Sequence, residues 1–177
     1  MADTPDARRL IINADDFGFS EGVTRGIVEA HVAGSVTATS IMANGIDWQN
    51  AVARARALRT IGVGVHLNLV QGRPLLRVPS LTDARTGEFF GLGALARRAL
   101  LGRVDAGELE AETIAQIERV RASGIAVTHL DSHRHAHVLP GIFRTVARVT
   151  AEAGIRVLRV PCEPLRLNLL DLAATDR

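Results

Sequence analysis

The 177-residue chain predicts an α/β fold built on parallel strands. Two observations carry this expectation. An amphipathic helical stretch, a glycine or short polar break and a brief β-branched run follow one another repeatedly along the chain. Polar clusters also stand at the ends of those runs, where parallel α/β folds hold their ligands. Helices alternating with short apolar strands imply right-handed crossovers between parallel neighbours.

The units can be taken in order. "RLIINADD" opens with a strand near 9–13. Ser20 caps a helix that begins near Glu21, and "GIVEAHVAG" carries it to Gly34. "SVTATSIMANG" supplies a strand near 36–42, and "WQNAVARARALRT" leads to a third in "IGVGVHLNL", near 61–69. "LEAETIAQIERVRASG" runs to Gly124 and a strand near 126–130, and "IFRTVARVTAEAG" to Gly154 and a strand near 156–160. Gly34, Gly124 and Gly154 sit where helices end. Between Val70 and Phe90 the rhythm breaks in "VQGRPLLRVPSLTDARTGEF", a length more often used for a lid or binding loop than for idle linker. These elements fit an open doubly wound sheet or part of a barrel.

Composition narrows the function. The chain is 47% hydrophobic and 23% charged, as ordinary globular domains are. All 21 basic residues are arginine, so the pI near 9.8 accompanies a net charge of only +2. Interspersed charges and 3% aromatics argue against a nucleic-acid groove. The absence of lysine excludes Schiff-base and P-loop chemistry here. The single cysteine, Cys162, can form neither an internal disulfide nor a CxxC knuckle. No secretory leader or membrane span is legible, and a cytoplasmic location is expected.

Three clusters carry the chemistry: "NADDFG" at 13–18, "GVHLNL" at 64–69 and "THLDSHRHAH" at 128–137. Along an extended chain Asp15 and Asp16 point opposite ways, which suits them to separate tasks, one on a cation and one on a proton. Helix capping is the plainer reading of the pair, but Ser20 already serves that end. His66, among Val65, Leu67 and Leu69, reads as a core histidine unless its strand end meets the other clusters. His31 lies on a helix without polar company and is set aside. Asp131, His133, His135 and His137 share one side if extended, while His133 and His137 face together if helical. A surface polar run is the alternative for His135 and His137. One carboxylate and two imidazoles on three strand ends make an open metal site of the catalytic kind. Such a site points to metal-assisted hydrolysis.

"NADDFGFS", "GVHLNL" and "THLDSHRHAH", in that order, resemble the YdjC-type carbohydrate deacetylases, from about Arg9 to Val160. That family includes chitooligosaccharide deacetylase and hopanoid-associated relatives. The resemblance implies a (β/α) barrel related to polysaccharide deacetylases, with residues 1–177 forming a single domain that lacks its C-terminal part. It implies a divalent metal (zinc or magnesium, with nickel, cobalt or manganese also suited) on Asp16, His66 and His133. It makes Asp15 the base that activates water against the N-acetyl carbonyl of an amino sugar or chitooligosaccharide. Relatives carry a further histidine in a Cys-His-Pro setting to protonate the leaving amine; here Cys162 is followed by Glu163. A homo-oligomer is one way to complete such a site, and neither nucleic acid nor membrane is expected as partner. A silent sugar- or metal-binding remnant, another metal-dependent hydrolase on a phosphoester or cyclic amide, and a plain α/β domain with incidental histidines fit the same residues.

Asp16→Ala and His133→Ala are each expected to abolish metal retention, read by elemental analysis, while His31→Ala leaves it intact. Retention by both of the first two variants would sink the site.

Overall fold

Strands β1 (Asn13–Phe17), β2 (Ala38–Ile41), β3 (Gly62–Leu67) and β4 (Val127–Ser132) pair in chain order as one parallel sheet. Helices α1 (Glu21–Val32) and α2 (Trp48–Ala57) make the first two crossovers. The third contains α3 (Leu92–Leu100) and α4 (Ala106–Ala122), and α5 (Phe143–Glu152) follows β4. The computed structural model describes residues 10–162. The order of the described strands never reverses, so this sheet has no switch point of the doubly wound kind.

Helix ends follow the local chemistry. Ser20, in extended conformation, accepts from the Val23 N–H at 3.4 Å, and Asp105 accepts from the Glu108 N–H at 2.9 Å to start α4. Gly34, Gly124 and Gly154 take the left-handed conformation just past α1, α4 and α5.

Alternation along β3 separates two environments. Val63, Val65 and Leu67 are buried in the core, with Phe17, Ile41, Leu130, Ile117 and Val146. Gly62, Gly64 and His66 fall on the other face. A β-carbon on Gly64 would overlap the His129 imidazole, so the missing side chain is the space the ring occupies. That face opens into a cavity of about 750 Å³ bordered by Leu10, Ile11, Thr37, Gly62, His129 and Val157.

Two bulges interrupt the ladder. On β1, Ala14 pairs with Thr39 and Phe17 with Ile41, leaving Asp15 and Asp16 together opposite Ser40. On β4, Val127 pairs with Val63 and Leu130 with Val65, leaving Thr128 and His129 opposite Gly64. Each extra residue restores core-facing alternation beyond it while re-aiming the polar pair.

The structure corrects several expectations. The first strand lies at 13–17 rather than 9–13, because Leu10 and Ile11 border the open face and ladder pairing starts at Asn13. The fifth strand shrinks to one bridge, Leu130 with Leu158, held by hydrogen bonds of 2.9 and 3.0 Å. It cannot extend because β4 is bulged before Leu130 and leaves the sheet after Ser132. The segment after β3, expected as a lid or binding loop, is anchored rather than free: Val78, Leu81 and Phe89 are buried in the main core. Helix α3 was not anticipated, although Leu92, Leu95 and Ala99 have helical spacing.

The turns after β1 and β2 meet at Gly45, where a β-carbon would overlap the Gly18 carbonyl. Gly45→Ala is expected to destabilise the fold by about 1–3 kcal/mol. Gly26→Ala, in α1 with open space around it, should stabilise it by roughly 0.5–1 kcal/mol. Urea denaturation of the two variants checks both signs.

Candidate metal centre

Three strand ends bring Asp16, His66 and His133 together. Asp16 occupies the β1 bulge with φ +65, a left-handed conformation unusual for a residue other than glycine. His66 lies near the end of β3 and is 1% exposed. His133 opens the 3-10 turn His133–Val138 after β4. Asp16 Oδ1 stands 3.0 Å from His66 Nε2 and 2.8 Å from His133 Nδ1. Phe19 stacks on His133 with ring centroids 6.1 Å apart.

The bulge also revises the expected divergence of the paired aspartates. Asp15 does not turn away: its carboxylate, His66 and Asp131 have ligand atoms within 4.8 Å of one another, as do Asp16, His66 and His133. The two carboxylates share a rim and differ in partners. Asp15 accepts from Arg159 in a two-pronged pair at 2.9 and 2.8 Å, and from Asn13 Nδ2 at 2.8 Å.

Asp131, Arg159, Asn13 and Ser40 complete the surroundings, and sequence reasoning assigned none of them. The fully buried Asp131 takes a 2.6 Å hydrogen bond from His66 Nδ1 and another of 2.6 Å from Ser40 Oγ, with Arg159 at 3.2 Å. The register pairing His66 with Asp131 makes this contact. The alternation placing Asp131 with His133 was the available signal; nothing in "IRVLRVP" marks Arg159.

The histidine cluster does not act as a unit. Arg134 and His135 both have positive φ, +52 and +55, so the segment is neither extended nor a regular helix. The reversal sends His133 to the rim, leaves His135 exposed and buries His137. His137 Nδ1 accepts from Ser132 Oγ at 2.5 Å, and its Nε2 donates to the Arg159 carbonyl at 3.0 Å. Burial lowers its pKa, which suits a neutral structural imidazole. His31 has polar company after all: Nδ1 lies 2.7 Å from the Val36 carbonyl and Nε2 3.0 Å from Thr60 Oγ1. It ties the end of α1 to the following segments and stays away from the rim.

The donor set fits a divalent ion. Ligands about 2.1 Å from a metal at tetrahedral or octahedral angles stand roughly 3.0–3.4 Å apart, close to the separations from Asp16. His66 already directs its second ring nitrogen to a carboxylate, as ligating histidines do. One carboxylate and two imidazoles leave positions open for water or substrate.

Comparison with known proteins agrees with this architecture. The family model described as YdjC-like protein matches residues 9–175. A carbohydrate deacetylase of Brevibacillus brevis is 43% identical over 84% of this chain and 58% of its own length.

The chain belongs to the YdjC-like family.

Other YdjC-like relatives include a carbohydrate deacetylase of Geobacillus stearothermophilus, 41% identical over 90% of this chain and 60% of its own. A chitooligosaccharide deacetylase of Salmonella paratyphi B is 40% identical over 96% of this chain and 66% of its own. The chain therefore spans about three-fifths of the curated relatives it matches. A crystal structure from Enterococcus faecalis, provisionally described as a cellobiose-phosphate cleavage protein, superposes with a TM-score of 0.76 at 30% identity. That match covers 94% of this chain and 64% of the other.

Electrostatics in this YdjC-like site follow the geometry. Burial would depress the His66 pKa, but hydrogen bonds to Asp131 and Asp16 outweigh it and push the value up to about 9. Burial would likewise raise the carboxyls of Asp16 and Asp131. Hydrogen bonds from His133 and His66 to Asp16, and from His66 and Ser40 to Asp131, hold both below the usual carboxylate range. In the metal-free state a proton thus sits between His66 and Asp16, so metal binding releases it.

For the metal-free protein, the raised His66 pKa contributes stability that is fully present below 6.5, the ordinary value. This contribution is lost as pH rises through about 9. Urea unfolding at pH 6, 7.5 and 9 is expected to show that decline, and His66→Gln should flatten it. An equal slope in both proteins would refute the assignment.

Proposed function

We propose that this chain forms the metal-binding part of a carbohydrate N-deacetylase acting on an amino sugar or chitooligosaccharide. The observation that carries the reading is the convergence of Asp16, His66 and His133, with Asp15 on the same rim. The names of the relatives supply the substrate class. Their greater length and the sequential strand order support taking the sheet as the first part of a (β/α) barrel formed within one domain.

Asp16 Oδ1, His66 Nε2 and His133 Nδ1 would hold the cation. Two imidazoles and a carboxylate suit zinc, nickel or cobalt, and magnesium or manganese with more waters. Such an ion, when bound, acidifies water and polarises an acetamide carbonyl. Asp131 keeps the His66 Nδ1 proton directed away from the cation position, leaving Nε2 to face it. Arg159 and Asn13 fix Asp15 in one orientation, so that its carboxylate can take the proton of attacking water as acetate forms. Protonation of the leaving amine is assigned to no described residue; Glu163, beside Cys162, lies outside them.

A second reading rests on the Enterococcus structure provisionally described as a cellobiose-phosphate cleavage protein. Hydrolysis of a phosphorylated disaccharide would use the same ligands and base, and product analysis separates the two.

The test combines elemental analysis with acetate release from N,N′-diacetylchitobiose on one preparation. Bound metal with acetate release is expected. Asp15→Asn should lower kcat by about 10²–10⁴ while keeping the metal. Bound metal without acetate, with release of phosphate or sugar from cellobiose phosphate, would overturn the deacetylase reading in favour of the second.

A further inference from the structure

His66 and His133 each turn one ring nitrogen toward Asp16, and each places the other against a side-chain oxygen. For His66 that oxygen belongs to the buried Asp131. For His133 it is Gln71 Oε1, 3.0 Å from Nε2. An imidazole carrying its proton on Nε2 presents a lone pair at Nδ1, the nitrogen facing Asp16. We propose that Gln71 is a positioning residue for the metal centre: it accepts the His133 Nε2 proton and so selects the ring form and orientation that bind a cation. The inference rests on the metal reading above.

Gln71 itself is exposed, so something must hold it in place. The backbone around it is fixed by Asn68, which is 2% exposed. Asn68 Oδ1 accepts from the Val70 and Gln71 N–H groups at 3.1 Å each, and Asn68 Nδ2 donates to the Gln71 carbonyl at 2.7 Å. Gln116, fully buried in α4, grips the Asn68 backbone from both sides. Its Oε1 accepts from the Asn68 N–H at 3.0 Å, and its Nε2 donates to the Asn68 carbonyl at 2.8 Å. Glu112, one helical turn earlier and equally buried, accepts from Gln116 Nε2 at 2.8 Å and from the Leu75 and Leu76 N–H groups. Hydrogen bonds thus join Glu112, Gln116, Asn68 and Gln71 into one chain of polar residues. Its terminus is the Gln71 amide, which makes the segment after β3 a strut between α4 and a metal ligand.

A buried partner of a ligating histidine is commonly worth 10- to 100-fold in metal affinity; an exposed one belongs at the low end, roughly tenfold. The experiment is calorimetric titration of the metal-stripped chain with Zn²⁺, together with thermal unfolding without metal. Gln71→Leu removes the acceptor and is expected to weaken Zn²⁺ binding about tenfold. Gln71→Asn keeps the amide but is too short to reach, and should weaken binding similarly. Gln71→Glu keeps an acceptor at the right length and should restore wild-type affinity or exceed it. All three substitutions lie at an exposed position and should leave the metal-free Tm unchanged. Leu or Asn variants that bind Zn²⁺ as tightly as wild type would overturn the role of Gln71 and leave the metal centre standing. Failure of the wild-type chain to bind Zn²⁺ would remove both.

Discussion

The contact on which most of this molecule depends is the 2.6 Å pair between His66 and Asp131 on neighbouring strands. Removing both groups from water is costly unless every remaining valence is met. Here Asp131 is met from several sides: His66 on β3, Ser40 on β2, Asn13 on β1 at 3.5 Å, and Arg159 beyond α5. A single carboxylate therefore links all four strands to the segment beside β4. Loss of His66 would leave Asp131 buried with Ser40, Asn13 and Arg159 as its partners, and loss of Asp131 would leave His66 Nδ1 buried without its acceptor.

Around this pair, the two bulges explain how a regular ladder yields a site. A strict period-two strand would send Asp15 and Asp16 to opposite faces, one of them into the apolar core. Placing both opposite Ser40 keeps Phe17 in the core and leaves both carboxylates on the rim. The bulge at Thr128 and His129 likewise restores Leu130 to the core face and brings Asp131 level with His66. The site is thus built from displaced register on rigid strands, with the segment after β3 and the turn after β4 each adding one side chain.

Much of this was legible in the residues. Gly-Val-Gly-Val-His-Leu already separates a core face from a polar face, Ser20 marks the start of α1, and the glycines past α1, α4 and α5 mark their ends. The three clusters that the topology was expected to gather do meet at one end of the sheet. The displaced strand, the bulge that turns the two aspartates to one side and the scattering of His133, His135 and His137 were not legible. A bulge is set by the partner strand and by what each face must bury, and no local pattern reports either. Arg134 has no preference for the left-handed region and His135 only a weak one, and the reversal between His133 and His137 accompanies the burial of Ala136 and His137. Gln71 had no signal either, since its importance lies in three buried residues reached only through the fold.

The open face of the sheet has a consequence for any energy assigned to these strands. Parallel sheets are ordinarily covered on both sides, yet among the described residues Leu10, Ile11 and Val157 border an open cavity on this face. Whatever matter lies against that face in the cell adds its own burial to the folded state and none to the unfolded one. Stability assigned from the described residues 10–162 alone therefore counts one face of the sheet without whatever packs on it.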